Sequence, residues 1–452
     1  AYTVGDRSYS ASELSYHYAT QYYSTANQYG SYASLLGLDT STGIRGLGKQ
    51  TSPYGGTWKE QFLTAAENEL LQVKALCDYA KANGIELTED EIAEVDANFE
   101  NLESMAKLQG YASADKMLAA NYGQGVTVEM ARSAAIDAAL ANKASTEKQN
   151  SLEYSSDELE AKYEENKDSW DTFGYAYYFV EAEKTTTQDA DGNDTQTVTP
   201  EALDAAKAKA ESDAAAVLAR VQGGEALEDV AKDYASASYT STDAGSNNGS
   251  DVANWVFDSA RKAGDSAVVA SDPNCYVVVF RSVGRQEYAT KDVRHILFKV
   301  DESALDSEAE TYEADLQAAK DAAKTAAEDA LAQWKAGEAT EDSFAALANE
   351  LSADDGSNTN GGLYTKIYKN QMVTEFNDWC FDASRQSGDT GIVYGESSNY
   401  EGYHVIYFVG DDVPYWQVQA ENALRNTDTE AWLDGLLDSA DVVQENGMKH
   451  VG

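Results

Sequence analysis

One eleven-residue segment recurs in this chain with little change. WVFDSARKAGD begins at Trp255 and WCFDASRQSGD at Trp379, 124 residues apart, with Trp, Phe, Asp, Arg and Gly positions shared. Self-similarity at a fixed offset marks a duplicated structural unit. The stretches around the two segments repeat in the same order. The first copy runs through FGYAYYFVEA, an Ala-rich stretch from Glu201 to Gly223, ALEDVAKDYA and CYVVVFRSVG. The second runs through VRHILFKV, an Ala-rich stretch ending at Gly337, SFAALANELS and GYHVIYFVG. Aromatic and β-branched runs predict strands at the two ends of each copy, and the Ala-rich stretches predict helices between them. The spacing therefore predicts an α+β multidomain protein with tandem copies over residues 169–288 and 289–413.

The remaining sequence reads as one helical body. AYTVGDRSYS predicts a short strand and turn. From Trp58 to Ala82, Phe62, Ala66, Leu70, Val73, Cys77 and Ala80 fall on one helical face, with Gly84 just past the end. Thr88 and Glu91 form a capping box, with Leu87 and Ile92 as its staple and Val95, Phe99 and Leu102 inward; Ser155 and Glu158 repeat the capping pattern. Residues 414–452 carry helices through Trp416 and Trp432 and a strand-like DVVQEN. That segment is too small to bury itself, so it is expected to pack on residues 1–168.

Charge and cysteine content narrow the function. A net charge of −45, from 78 acidic and 33 basic residues, repels phosphate backbones and anionic headgroups, which argues against nucleic acid and membrane surfaces as partners. Cys77, Cys275 and Cys380 are odd in number, far apart and without a CxxC pair, so they predict buried thiols and neither a disulfide framework nor a zinc site. Asp189, Asp191 and Asn193 suggest a calcium loop. The sixth position, however, is Asp194 instead of Gly and the twelfth is Pro200 instead of Glu, so a solvated hairpin around Asp191-Gly192 is expected and no metal is assigned. No apolar run reaches the ~20 residues of a membrane helix, and no basic-then-apolar leader precedes Ala1.

Only four histidines occur, and two lie in predicted strands of the second copy: His295 in VRHILF and His404 in GYHVIYF. Strand periodicity puts His404 on one face with Ile406 and Phe408, and His295 with Leu297 and Lys299. Taken singly, each reads as a core imidazole bonded to backbone. The repeat supplies a control. Aligning the copies on Phe179 and Phe298 sets Ala176 opposite His295, aligning Phe280 with Phe408 sets Tyr276 opposite His404, and Asp354 falls opposite Ala237. Groups that disappear together point to a unit with a function in copy two only.

Five motifs of copy two, VRHILF, FxxLAxxxS, SxDxGSxxxGG, QMxxxF and GYHVI, come in an order that resembles a parvulin-type peptidyl-prolyl isomerase domain. The helical segment before the repeat, rejoined by the last helix, resembles the chaperone lobe of extracytoplasmic foldases of the PrsA and SurA type. The resemblance implies a helical lobe plus two tandem parvulin-like domains, FKBP-like in fold with antiparallel or mixed sheets, the first copy degenerate. It implies a catalytic set of His295, Asp354 and His404, a proline pocket of Tyr364, Met372, Phe376 and Phe381, and no cofactor. It implies unfolded or nascent secreted polypeptides as partners, a secreted or surface-anchored location in a Gram-positive bacterium, and membrane attachment through a removed signal or anchor. The family's GGDLGWF reads GGLYTKI here. An isomerase-inactive holdase chaperone is the alternative; a histidine-carboxylate hydrolase is disfavoured because no Ser or Cys stands in a nucleophile elbow.

Overall fold

The chain separates into two units, Ala1–Ser155 with Asn422–Gly452, and Ser156–Glu421. The computed structural model describes residues 2–188, 194–234, 238–398, 400–444 and 451.

Local capping chemistry accounts for the helices of the first unit. A hairpin of β1 (Tyr2–Val4) and β2 (Arg7–Tyr9) leads into α1 (Ala11–Tyr29), and α2 (Trp58–Asn83) follows. Both helices begin with a capping box, Ser10 with Glu13 and Thr57 with Glu60, in which side chains satisfy N–H groups that the first turn leaves unpaired. α2 stops at Gly84, whose φ of 69° is left-handed, the conformation that ends a helix at low cost when no Cβ is present. α3 (Glu89–Ala97) starts with the Thr88–Glu91 box, and α4 (Leu102–Leu108), α5 (Ala114–Tyr122) and α6 (Val128–Asn150) complete the series. Leu14, Tyr18, Tyr22, Leu47, Trp58, Phe62 and Leu70 form the core with Val451, and the strand Val442–Gln444 pairs with β1. The inner face of α2 differs from the periodic reading. Lys74 is buried because Asp6 and Asp78 hold its ammonium at 2.7 and 2.5 Å, and Val73 and Cys77 are only half buried. A charge leaves water when it is paired. No helix among the described residues is long and apolar enough to cross a membrane.

The second unit opens with α7 (Ser156–Trp170) and continues with two copies of one α+β design. Copy one comprises β3 (Thr172–Val180), the hairpin β4 (Thr185–Gln188) and β5 (Asp194–Thr197), α8 (Leu203–Gln222), α9 (Leu227–Lys232), β6 (Tyr239–Gly245), α10 (Asp251–Val256), β7 (Ser266–Ser271) and β8 (Asn274–Gly284). Copy two comprises β9 (Ala289–Lys299), α11 (Tyr312–Ala336), α12 (Glu341–Leu351), β10 (Leu363–Ile367), α13 (Thr374–Cys380), β11 (Thr390–Glu396) and β12 (Glu401–Pro414). From β12 the chain enters α14 (Tyr415–Asp438). The sheet orders β6-β3-β8-β7 and β10-β9-β12-β11 are the same pattern, antiparallel throughout. Asp189, Asp191 and Asn193 lie outside the described residues, as does Ala237.

Each sheet has two dissimilar faces. In copy one, Ala176, Tyr178, Val180 and Val277 pack under α8 and α9, whereas Val278 and Phe280 pack under Val252 and Val256 of α10. In copy two, Ile296 and Val405 pack under α11 and α12, and Val293, Ile406 and Phe408 pack against Phe376 and Cys380 of α13. The repeated Trp-Phe-Asp segment thus starts in the last turn of the short helix on the second face and runs past its C-cap in both copies.

The registers correct one sequence alignment. His404 stands opposite Leu297, and Ile406 opposite His295; Tyr276 stands opposite Phe179, and Val278 opposite Tyr177. The counterpart of His295 is therefore Tyr177, not Ala176. Ala176 lies on the α8 face and corresponds to Arg294. Matching Phe179 with Phe298 slipped the strand by one residue, and a one-residue slip exchanges the two faces of a sheet. The pairing of Tyr276 with His404 is in register.

Candidate active site

β9 and β12 are neighbouring central strands, so His295 and His404 meet on the α13 face at a diagonal step of the ladder. Their rings lie 5.3 Å apart at 27°, with Nδ1 to Nδ1 at 3.2 Å, and each residue is 2% exposed. Buried polar atoms at this depth need partners. His295 Nε2 lies 3.0 Å from Asp354 Oδ2, and His404 Nε2 lies 3.0 Å from the Tyr400 hydroxyl. The same Asp354 oxygen accepts from the hydroxyl of Tyr364 at 3.0 Å and from that of Ser357.

The backbone places these groups closely. After α12, Ala353 N–H donates to Leu297 O at 2.9 Å and Ser352 Oγ accepts from Leu297 N–H at 3.1 Å, which ties the Asp354 loop to β9. Two glycines are required by close approach. Gly362 has φ 70°, and a Cβ there would sit 2.2 Å from the His295 carbonyl oxygen; a Cβ on Gly395 would sit 2.9 Å from His404 Nε2 and 2.8 Å from Val373 Cγ2. Phe376 is fully buried and turns its ring edge-on to both imidazoles, 5.7 Å from His295 and 5.3 Å from His404. Met372 and Val373 pack on the same cluster and remain half buried.

Electrostatics assigns the protons. The hydrogen bond from His295, helped by those from Ser357 and Tyr364, holds the Asp354 carboxyl far below its ordinary range despite burial. Burial, then the neighbouring His295, pushes His404 down to about 3, and burial with the Asp354 charge pushes Tyr364 up to about 12. Asp354 is thus an anion that only accepts. With Asp354 ionised and His404 neutral, the distances are met when His295 donates from Nε2 to Asp354, one imidazole Nδ1 donates to the other, and the Tyr400 hydroxyl shares a hydrogen bond with His404 Nε2. Tyr400, His404, His295 and Asp354 form one continuous row.

The structure brings His295, His404, Asp354 and Tyr364 together, with Phe376 and Met372 as the apolar side. Tyr364 takes part through its hydroxyl more than as an apolar wall. Phe381 packs on the same apolar cluster as Met372, with its ring 5.9 Å from Tyr288 and under the ammonium groups of Lys291 and Lys369. Sequence reading missed Tyr400 and Ser357. Ser357 lies inside the SxDxGS motif, three residues after Asp354. Tyr400 is four residues from His404, where strand alternation alone assigns no contact; it reaches back because Ser397 N–H donates to Tyr400 O at 2.9 Å and turns the chain.

Residues 295–410 match the rotamase family model, described as a PPIC-type PPIASE domain. No curated protein matches the chain. Among solved structures, the chain is similar to peptidylprolyl isomerase PrsA from Bacillus cereus, at 23% identity and a TM-score of 0.20 over 36% of this chain and 55% of that one. It is similar to PrsA from Bacillus anthracis at 21% identity and a TM-score of 0.20, over 34% and 59%, and to PrsA from Bacillus subtilis at 11% identity and a TM-score of 0.28, over 88% and 95%. The chain covers little more than half of each of the first two.

Proposed function

We propose that the parvulin-type peptidyl-prolyl isomerase domain at residues 295–410 isomerises X-Pro bonds of unfolded or nascent secreted polypeptides, within a foldase that works outside the cytoplasm. His295, Asp354 and His404 form the polar side of the site. Met372 and Phe376 form its apolar side, bordered by Tyr364 and, more remotely, Phe381. The domain boundaries of this reading are a helical chaperone-like lobe at 1–168, a degenerate copy at 169–288, the isomerase at 289–413 and a returning helix at 414–452.

The observation that carries the reading is the continuous hydrogen-bonded row from Tyr400 to Asp354 beside a buried aromatic wall. Rotation about an X-Pro amide needs no bond to be made or broken. Resonance sets a barrier of about 18–20 kcal/mol, and a catalyst has only to favour the twisted, deconjugated state. An apolar wall that takes the proline ring removes water from the amide, and polar groups held in place before the substrate arrives act on the altered carbonyl without reorganising. The histidines hold the row and orient Asp354; the buried, neutral His404 has its ring nitrogens committed to His295 and Tyr400. Uncatalysed isomerisation takes tens to hundreds of seconds and limits folding, which gives such a site its use.

The test is cis/trans exchange of a proline tetrapeptide with the full chain, beside His404→Ala and Asp354→Ala. Wild type is expected to accelerate exchange, and each variant to lose most of that acceleration. A wild type no faster than buffer that still suppresses aggregation of an unfolded client would leave the holdase reading and remove the isomerase.

A further inference from the structure

The turn that carries Tyr400 is held from the far side of the sheet. Successive residues of a strand point to opposite faces. Tyr400 reaches His404 on the α13 face, whereas Glu401 falls on the α11 face with Tyr403 and Val405. There the Glu401 carboxylate accepts from the Lys320 ammonium of α11 and from the Tyr394 hydroxyl of β11. The same ammonium lies 5.8 Å from the centre of the Tyr394 ring. Burial would raise the Glu401 carboxyl, but the bonds from Lys320 and Tyr394 hold it below its ordinary range, so it is an anion clamped by a cation and a phenol. Its main chain is fixed as well: Val300 N–H donates to Glu401 O at 2.8 Å, and Glu396 stands opposite Glu401 in the ladder. Three elements, α11, β11 and β12, thus meet at the residue next to Tyr400.

Lys320 stands one turn before Ala323, on the stripe of α11 that continues through Ala327, Ala330 and Trp334 under the sheet. An apolar residue would extend that stripe; the lysine finds its counter-charge in Glu401 instead. Copy one lacks the arrangement. Ser271 and Asn274 pair across Asp272 and Pro273, and the registers set Ala270 in the place of Tyr394 and Pro273 in that of Glu401. The copy without the histidine row is also the copy without the clamp.

We propose that Glu401 is a positioning residue of the copy-two site: clamped by Lys320 and Tyr394, it fixes the backbone from which Tyr400 reaches His404, and so couples α11 to the row that ends on Asp354. Chain segments at strand ends open locally when little holds them, and an opened end would carry the Tyr400 hydroxyl away from His404 Nε2. A hydroxyl held in place before the substrate arrives need not be ordered during the reaction. The inference rests on the reading of copy two as an X-Pro site, because the row that the clamp steadies is the polar side of that site.

The experiment uses the full chain with isotope-labelled histidine and follows the imidazole nitrogens of its four histidines by NMR, next to isomerisation of a proline tetrapeptide. Tyr400→Phe identifies the His404 Nε2 signal by removing that nitrogen's partner. Glu401→Gln and Lys320→Met are each expected to move the same signal in the same direction. Each should lower kcat about fivefold, the scale of coupling within one network, and leave KM within about twofold of wild type. Lys320→Arg keeps the cation and is expected to leave the signal in place. In the Tyr400→Phe background Glu401→Gln should have no further effect on kcat, because its influence passes through the missing hydroxyl. An unmoved Nε2 signal in Glu401→Gln and Lys320→Met overturns the proposal, and so does a full effect of Glu401→Gln on kcat in the Tyr400→Phe background. A loss confined to urea stability overturns it too, since the clamp would then only hold the fold. If Glu401→Gln fails to fold by circular dichroism, Lys320→Met decides. A wild type that isomerises nothing, but whose His404 signal still follows Glu401, would sink the reading of copy two and leave the clamp's hold on the row standing.

Discussion

The two copies in the second unit have the same strand order and the same helix placement, yet their α10 and α13 faces do opposite things with polar groups. In copy two, burial has been accepted for two imidazoles because each ring nitrogen has a partner and the row ends on an anion. In copy one, the same two positions carry larger rings that stay half exposed. The neighbouring strand changes in step. Val393 pairs with His404 and Val269 with Tyr276, so Gly395, which has no room for a Cβ beside His404, corresponds to Ser271. Loss of the histidines went with loss of the glycine that admits one of them. A duplicated scaffold can thus keep one packing face and diverge at the other.

The largest expected effect comes from converting copy two into copy one. His295→Tyr with His404→Tyr should lower kcat/KM for a proline tetrapeptide by about two orders of magnitude, about 2.7 kcal/mol of transition-state stabilisation. Activity that survives at wild-type level would mean that the two faces are not functionally distinct. Next comes packing. Gly395→Val forces a side chain to within contact of His404 and Val373 and should cost about 1–3 kcal/mol in urea denaturation, whereas Ser271→Val in copy one should cost less than about 0.5 kcal/mol.

Acidification separates the copies in a third way. The folded pKa of His404, near 3, lies below its ordinary 6.5, so on acidification the unfolded chain takes up the proton first. The stability contributed by the neutral ring is complete above pH 6.5 and is lost as pH falls towards 3, at up to about 1.4 kcal/mol per pH unit. Urea titrations at a series of pH values should show that slope in wild type and a shallower one in His404→Tyr. Asp354, with its pKa lowered, adds stability above the ordinary carboxylate range and loses it only at still lower pH. Among changes within the row of copy two, the smallest effect belongs to Tyr400→Phe. It leaves the Nε2 of a buried imidazole without its partner and should cost about 1 kcal/mol in stability, with a severalfold drop in kcat/KM; an unchanged rate would place Tyr400 outside the working row.

Much of the site was legible before any coordinates. His295, His404 and Asp354 stood out because a histidine is rare in this chain and because the repeat lacks all three at once. The capping boxes at Thr88 and the glycine stop at Gly84 were legible because both are local. What was not legible depended on direction. Lys74 reads as solvent-facing until Asp6, far away in sequence, is seen beside it. Tyr400 reads as loop until a turn aims its hydroxyl at His404. Tyr364 reads as an apolar substitute in an altered motif until its hydroxyl is seen on Asp354.

By itself the sequence determined that this protein is duplicated, that its copies are strand-helix-helix-strand units, and which three polar residues distinguish one from the other. These are matters of order and composition, which the chain carries linearly. Tertiary structure decided which residue of copy one stands in place of His295. Ala176 and Tyr177 are neighbours in sequence but face opposite sides of a sheet, and only the hydrogen-bond register across β3 and β8 tells them apart.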